Sequence, residues 1–114
     1  MVNNVADSPG TLSESRIIDL PQFTDERGSL SFAEQHEHIP FNIKRFYYLY
    51  DVREDKTRGD HGHRELRQVM IAVNGSFEVH LNDGYERTTM LLDDPSEGLY
   101  IPRLVWRSVE GFSE

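Results

Sequence analysis

The chain contains no cysteine, which excludes a disulfide framework, a thiol nucleophile and thiolate metal ligation. It has no apolar run approaching the length of a membrane span. Its first residues, MVNNVADSPG, lack the positive start and apolar middle of a signal peptide, so a cytoplasmic location without membrane attachment is expected. Positive charge is scarce: 12 Lys and Arg against 20 Asp and Glu give a formal net charge of −8, which argues against a nucleic-acid partner. No segment of ordinary helix length carries a helical repeat of apolar residues, and no internal repeat or low-complexity tract is present.

What remains is a chain of 114 residues rich in short, β-prone segments, the size of one domain for which a partner subunit would help bury apolar surface. Residues 1–14 read as a flexible lead-in and residues 15–114 as a single domain. Strands are predicted over residues 16–20 and 28–33, the latter entered through the turn Asp25-Glu26-Arg27-Gly28. Residues 66–73 and 76–81 are expected to form a hairpin about Asn74-Gly75, a dipeptide suited to positive φ. A second hairpin is expected about Asn82-Asp83-Gly84 with a return strand over 85–92, and short strands follow at 99–101 and 104–109. Many short strands without helices imply an all-β sandwich or barrel.

Residues 43–52 are aromatic and β-branched. Alternation puts Ile43, Arg45, Tyr47 and Leu49 on one face and Lys44, Phe46, Tyr48 and Tyr50 on the other, so a strand buried on both sides is expected. A buried Arg45 would need an anionic partner, whether an internal carboxylate or a bound anion. Arg58, Arg64 and Arg67 add positive charge around a His pair, enough for a compact anion such as a diphosphate to be held locally.

That pair, His61-Gly62-His63, has the spacing of a cupin metal site. Gln68 stands where the cupin pattern has its acidic ligand, Gly75 where it has a glycine, and Arg107, after Pro102 and Trp106, where it has a further histidine. An amide is a poor substitute for a carboxylate, and a guanidinium carries only donors and cannot coordinate a metal. No metal and no other cofactor is therefore expected. Histidines two apart on a strand face the same way, which suits proton transfer in a site that has exchanged metal chemistry for acid–base chemistry.

Taken together, Arg27-Gly28-Ser29-Leu30, the run from Ile39-Pro40 through Tyr47-Tyr48, Arg58-Gly59-Asp60-His61-Gly62-His63, Asn74-Gly75-Ser76, Gly98-Leu99-Tyr100-Ile101-Pro102 and Val105-Trp106 resemble the sugar-nucleotide 3,4-ketoisomerase family of cupins. The resemblance extends from about Arg16 to Ser113. It implies a cupin jelly-roll barrel, a homodimer formed by exchange of N-terminal strands, and metal-independent movement of a carbonyl from C4 to C3 of dTDP-4-keto-6-deoxyglucose. It also implies a further strand and C-terminal segment after Ser113, so the domain is expected to be a shortened version of the family's. Asp60 and Arg107 depart from the residues the family usually has at those places.

Family site positions map onto His61, His63, Arg45, Tyr47 and Arg58. On chemical grounds His63 is assigned the proton shuttle and His61 an orienting or relaying role, since an imidazole both takes and gives a proton near neutral pH. Tyr47 is assigned as hydrogen-bond donor to the enediolate oxygen, Arg45 and Arg58 as binders of the diphosphate or a sugar oxygen, and Tyr100 or Trp106 as the ring stacked on thymine. Two other functions fit the same residues: a cupin-type nucleotide-sugar epimerase, which needs an acid opposite the base, and a cupin that binds a sugar nucleotide without acting on it.

Overall fold

The computed structural model describes residues 12–53 and 67–113, together with the backbone of residues 58–61. After a short 3-10 turn at Leu12–Glu14 the described elements are all strands: β1 (Arg16–Asp19), β2 (Gln22–Asp25), β3 (Gly28–Ser31), β4 (Arg58–His61), β5 (Gln68–Met70), β6 (Phe77–Asn82), β7 (Arg87–Leu92), β8 (Glu97–Ile101) and β9 (Trp106–Glu110). Among the described residues no helix is long and apolar enough to cross a membrane. The strands form a three-stranded sheet in the order β1-β8-β5, a four-stranded sheet in the order β4-β9-β6-β7, and a β2-β3 ribbon.

The two larger sheets share one core of Ala72, Val79, Leu81, Leu92, Leu99, Ile101, Val105 and Val109. Alternation explains which residues enter it. On β6, Val79 and Leu81 are buried, while Glu78 and His80, which alternate with them, are more exposed. On the outer side His80 is held by both ring nitrogens, Nδ1 to Thr89 Oγ1 at 2.9 Å and Nε2 to Glu110 Oε1 at 2.7 Å. On β9, Arg107 and Val109 are the buried positions. β8 is the middle strand of its sheet and is buried from Gly98 to Ile101. A side chain at Gly98 would put its Cβ 2.7 Å from Val69 Cγ1, so the close approach of β8 and β5 requires glycine there.

The Asn82-Asp83-Gly84 turn joins β6 and β7 as expected. Asp83 holds it: Oδ1 accepts from the backbone N–H groups of Tyr85 and Glu86, each at 2.8 Å, and Oδ2 accepts from Leu12 N–H at 3.0 Å. These bonds draw the Asp83 carboxyl below its ordinary pKa and tie the start of the described chain to the hairpin.

Two sequence expectations are corrected. Gly75 does take a positive φ of 69°, yet β5 and β6 do not pair; β5 pairs with β8, whereas β6 pairs with β7 and β9. The turn carries the chain from one sheet to the other, because an Asn-Gly dipeptide specifies local φ but not which edge the following strand joins. Residues 43–50, in turn, form no strand and are exposed: Phe46 by 83%, Tyr48 by 69% and Tyr50 by 74%. Their alternation survives without a partner strand. Phe46, Tyr48 and Tyr50 lie in a row with neighbouring ring centroids 5.9 Å apart and the rings tilted against each other, as alternate residues on one face of an extended chain do. The β2 segment was not foreseen as a strand; its ribbon with β3 is also largely exposed, including Phe23 and Leu30.

The tight β8–β5 approach gives a direct test of the packing. Gly98→Ala is expected to lower stability by about 1–3 kcal/mol through overpacking against Val69. Thermal unfolding checks this, and a variant melting at the wild-type temperature would contradict it.

Candidate active site

Arg107 is the buried charged residue in the core and lies 3% exposed beside Val105 and Val109. Its guanidinium donors are taken up locally. Nε and Nη2 donate to Val105 carbonyl at 3.1 and 2.7 Å, Nη2 also approaches Pro102 carbonyl at 3.4 Å, and Nη1 donates to Gln68 Oε1. Gln68, on β5 of the opposite sheet, passes the connection on: its Nε2 donates to the Tyr47 hydroxyl oxygen at 3.3 Å. A continuous chain of hydrogen bonds thus runs from the buried cation through one amide to a phenol that is 60% exposed.

Burial pulls the Arg107 pKa well below the ordinary guanidinium range, to about 10, with Tyr47 acting in the opposite direction. The group stays cationic at neutral pH. Because its folded pKa is depressed, the cost of burying the charge is fully present below about 10 and relaxes only as pH rises above that value.

The β4–β9 register sets His61 across from Arg107 and Arg58 across from Val109. The side chains of Arg58 and His61 lie outside the described residues, as does His63 entirely. Arg45 is exposed on the same extended segment as Tyr47. The structure therefore gathers Tyr47, Gln68, Arg107 and the strand position of His61.

The two aromatic residues assigned to the base sit elsewhere. Tyr100 is 6% exposed, with the Arg16 guanidinium 4.9 Å from its ring centroid and the Phe41 ring tilted against it at 6.3 Å. Phe41 in turn lies under Arg67, at 5.2 Å. Trp106 is 54% exposed and borders a shallow depression of about 390 Å³ whose lining includes His80, Thr89, Ser108 and Arg107. Of the two, Trp106 has the accessible ring.

Sequence reasoning identified Gln68 and Arg107 only as replaced metal ligands. The signal that joins them was present, since both stand at positions that converge in a cupin, but their use as a support for Tyr47 was not read from it. Their chemistry does not suit a divalent metal: the guanidinium offers no lone pair and places a fixed positive charge where a cation would sit. Among the described residues no group of three or more His, Cys, Asp or Glu side chains converges on a point.

The family model described as FdtA, WxcM-like, C-terminal, matches residues 13–114. The TDP-4-oxo-6-deoxy-alpha-D-glucose-3,4-oxoisomerase of Aneurinibacillus thermoaerophilus is 41% identical over 100 residues, spanning 88% of this chain and 72% of that protein. A histidine-to-asparagine mutant of the 3,4-ketoisomerase QdtA from Thermoanaerobacterium thermosaccharolyticum, solved in complex with TDP-4-keto-6-deoxyglucose, superposes with a TM-score of 0.87 at 41% identity, covering 91% of this chain and 75% of that one. The TDP-quinovose 3,4-ketoisomerase of Campylobacter jejuni gives a TM-score of 0.84 at 40% identity over 88% of this chain and 77% of its own. With the family model matching from residue 13 to 114, the chain belongs to the FdtA, WxcM-like family of sugar-nucleotide 3,4-ketoisomerases.

Proposed function

We propose that this chain is an isomerase that converts dTDP-4-keto-6-deoxyglucose into its 3-keto isomer by proton transfer, without a metal. The observation that carries the proposal is the Arg107–Gln68–Tyr47 chain, which fixes a phenol at a site built on replaced metal-ligand positions. The identity to proteins named as 3,4-ketoisomerases supports the substrate class. A nucleotide-sugar substrate supports a cytoplasmic location.

The reaction needs no redox partner. A base takes the proton from C3, and the C–H electrons form a C3=C4 double bond as the C4 carbonyl oxygen takes up negative charge and then a proton. The enediol loses the proton of its C3 hydroxyl, the C3 carbonyl forms, and C4 receives a proton. The His61 and His63 imidazoles are the groups suited to take and return these protons, with His63 as shuttle and His61 relaying. The register across from Arg107 supports placing His61 near the Tyr47 chain. Tyr47 stabilises the enediolate oxygen, and Arg45 and Arg58 hold the diphosphate.

A homodimer completes the proposal. The β2-β3 ribbon and residues 43–50 expose Phe23, Leu30, Phe46, Tyr48 and Tyr50, and among the described residues the ribbon pairs with no other strand, which suits pairing with a second copy. Exchange of N-terminal strands would supply the segment 43–50 with a partner edge, which it does not have among the described residues.

Two experiments test this. Incubation with dTDP-4-keto-6-deoxyglucose in deuterated water, followed by NMR, is expected to show a 3-keto product with exchange at C3; epimerisation or an unchanged sugar would overturn the proposal. In the same assay His63→Asn should lower turnover by about 100-fold or more with loss of C3 exchange, His61→Asn should lower it less because an amide still orients a neighbour, and a double variant that keeps turnover would remove the imidazoles from the mechanism. Light scattering at micromolar concentration should give about twice the 13.3 kDa chain mass, whereas a monomer would contradict the dimer.

A further inference from the structure

The Gln68 amide has two unlike ends, and Arg107 determines which way it faces. A guanidinium has only donors, so the group turned toward Nη1 must accept, and Gln68 Oε1 does. The amide is planar, which sends Nε2 to the other side, where it donates to the Tyr47 oxygen at 3.3 Å. A phenol has a single hydrogen. With its oxygen already accepting from Gln68, the Tyr47 hydrogen meets no acceptor among the described residues and can point outward from a ring that is 60% exposed.

We infer that Gln68 is a positioning residue that sets the hydrogen-bond polarity of Tyr47, using the buried Arg107 as its anchor, so that the hydroxyl donates to the enediolate rather than into the protein. The inference rests on the role given to Tyr47 above. It also explains why an amide suits this place better than the carboxylate of the metal-binding pattern. A carboxylate would satisfy Arg107 at least as well, but it would present a second acceptor to Tyr47 and draw the phenolic hydrogen inward. The donor would then be turned from the position where charge develops.

Gln68→Glu tests this directly, because it preserves shape and leaves Arg107 an acceptor, so the fold should persist with an unreduced melting temperature. The expected result is a fall in kcat of about 100-fold, the loss typical of one oxyanion donor, with KM changed by no more than about twofold. In a Tyr47→Phe background the same substitution should cause no further loss, since the hydroxyl whose direction it alters is gone. Wild-type kcat in Gln68→Glu beside an impaired Tyr47→Phe would overturn the inference while leaving Tyr47 in its role. An undiminished effect of Gln68→Glu in the Tyr47→Phe background would also overturn it, and a fully active Tyr47→Phe would overturn both assignments.

Discussion

The charge of Arg107 is the constraint around which the site is arranged. An unpaired guanidinium among Leu81, Val105 and Val109 would be prohibitively costly, so every donor must find an oxygen. The loop before β9 meets part of this need by turning the carbonyls of Pro102 and Val105 toward the guanidinium. Leu104, between them, adopts a φ of 60°, a left-handed conformation that ordinary side chains avoid and that costs about 1–3 kcal/mol where the surroundings enforce it. Gln68 supplies an acceptor for Nη1 and, in doing so, links the two sheets at the site.

The same arrangement gives a physical sense to the loss of metal ligands. A metal ion would contribute positive charge and exchangeable coordination positions. Arg107 contributes positive charge in a fixed frame of bonds, with no coordination position to offer. Chemistry at such a site falls to groups that move protons or donate hydrogen bonds from set positions, and an isomerisation through an enediol requires only those.

How much of this was legible depended on the distance along the chain over which each feature is decided. The Asn82-Asp83-Gly84 hairpin and the Asp25 to Gly28 turn were readable because neighbouring residues determine them. The alternation of residues 46, 48 and 50 was readable for the same reason, but the exposure of that segment was not, since it depends on whether a distant strand pairs with it, and none does among the described residues. Asn74-Gly75 announced a turn correctly and its hairpin wrongly, because the partners of β5 and β6 are chosen by core packing with distant strands. Spacing marked Gln68 and Arg107 as departures from a pattern. Their connection to each other and to Tyr47 spans separations of 39 and 21 residues and emerges only when the two sheets close on one another.

Metal content and chelator sensitivity test most directly the claim that a fixed guanidinium has displaced metal chemistry. Elemental analysis of the purified, catalytically active protein should find transition metal far below one equivalent, and turnover of dTDP-4-keto-6-deoxyglucose should be unchanged in excess chelator. One equivalent of zinc, iron or manganese, removed by chelator with loss of turnover and restored on re-addition, would contradict it.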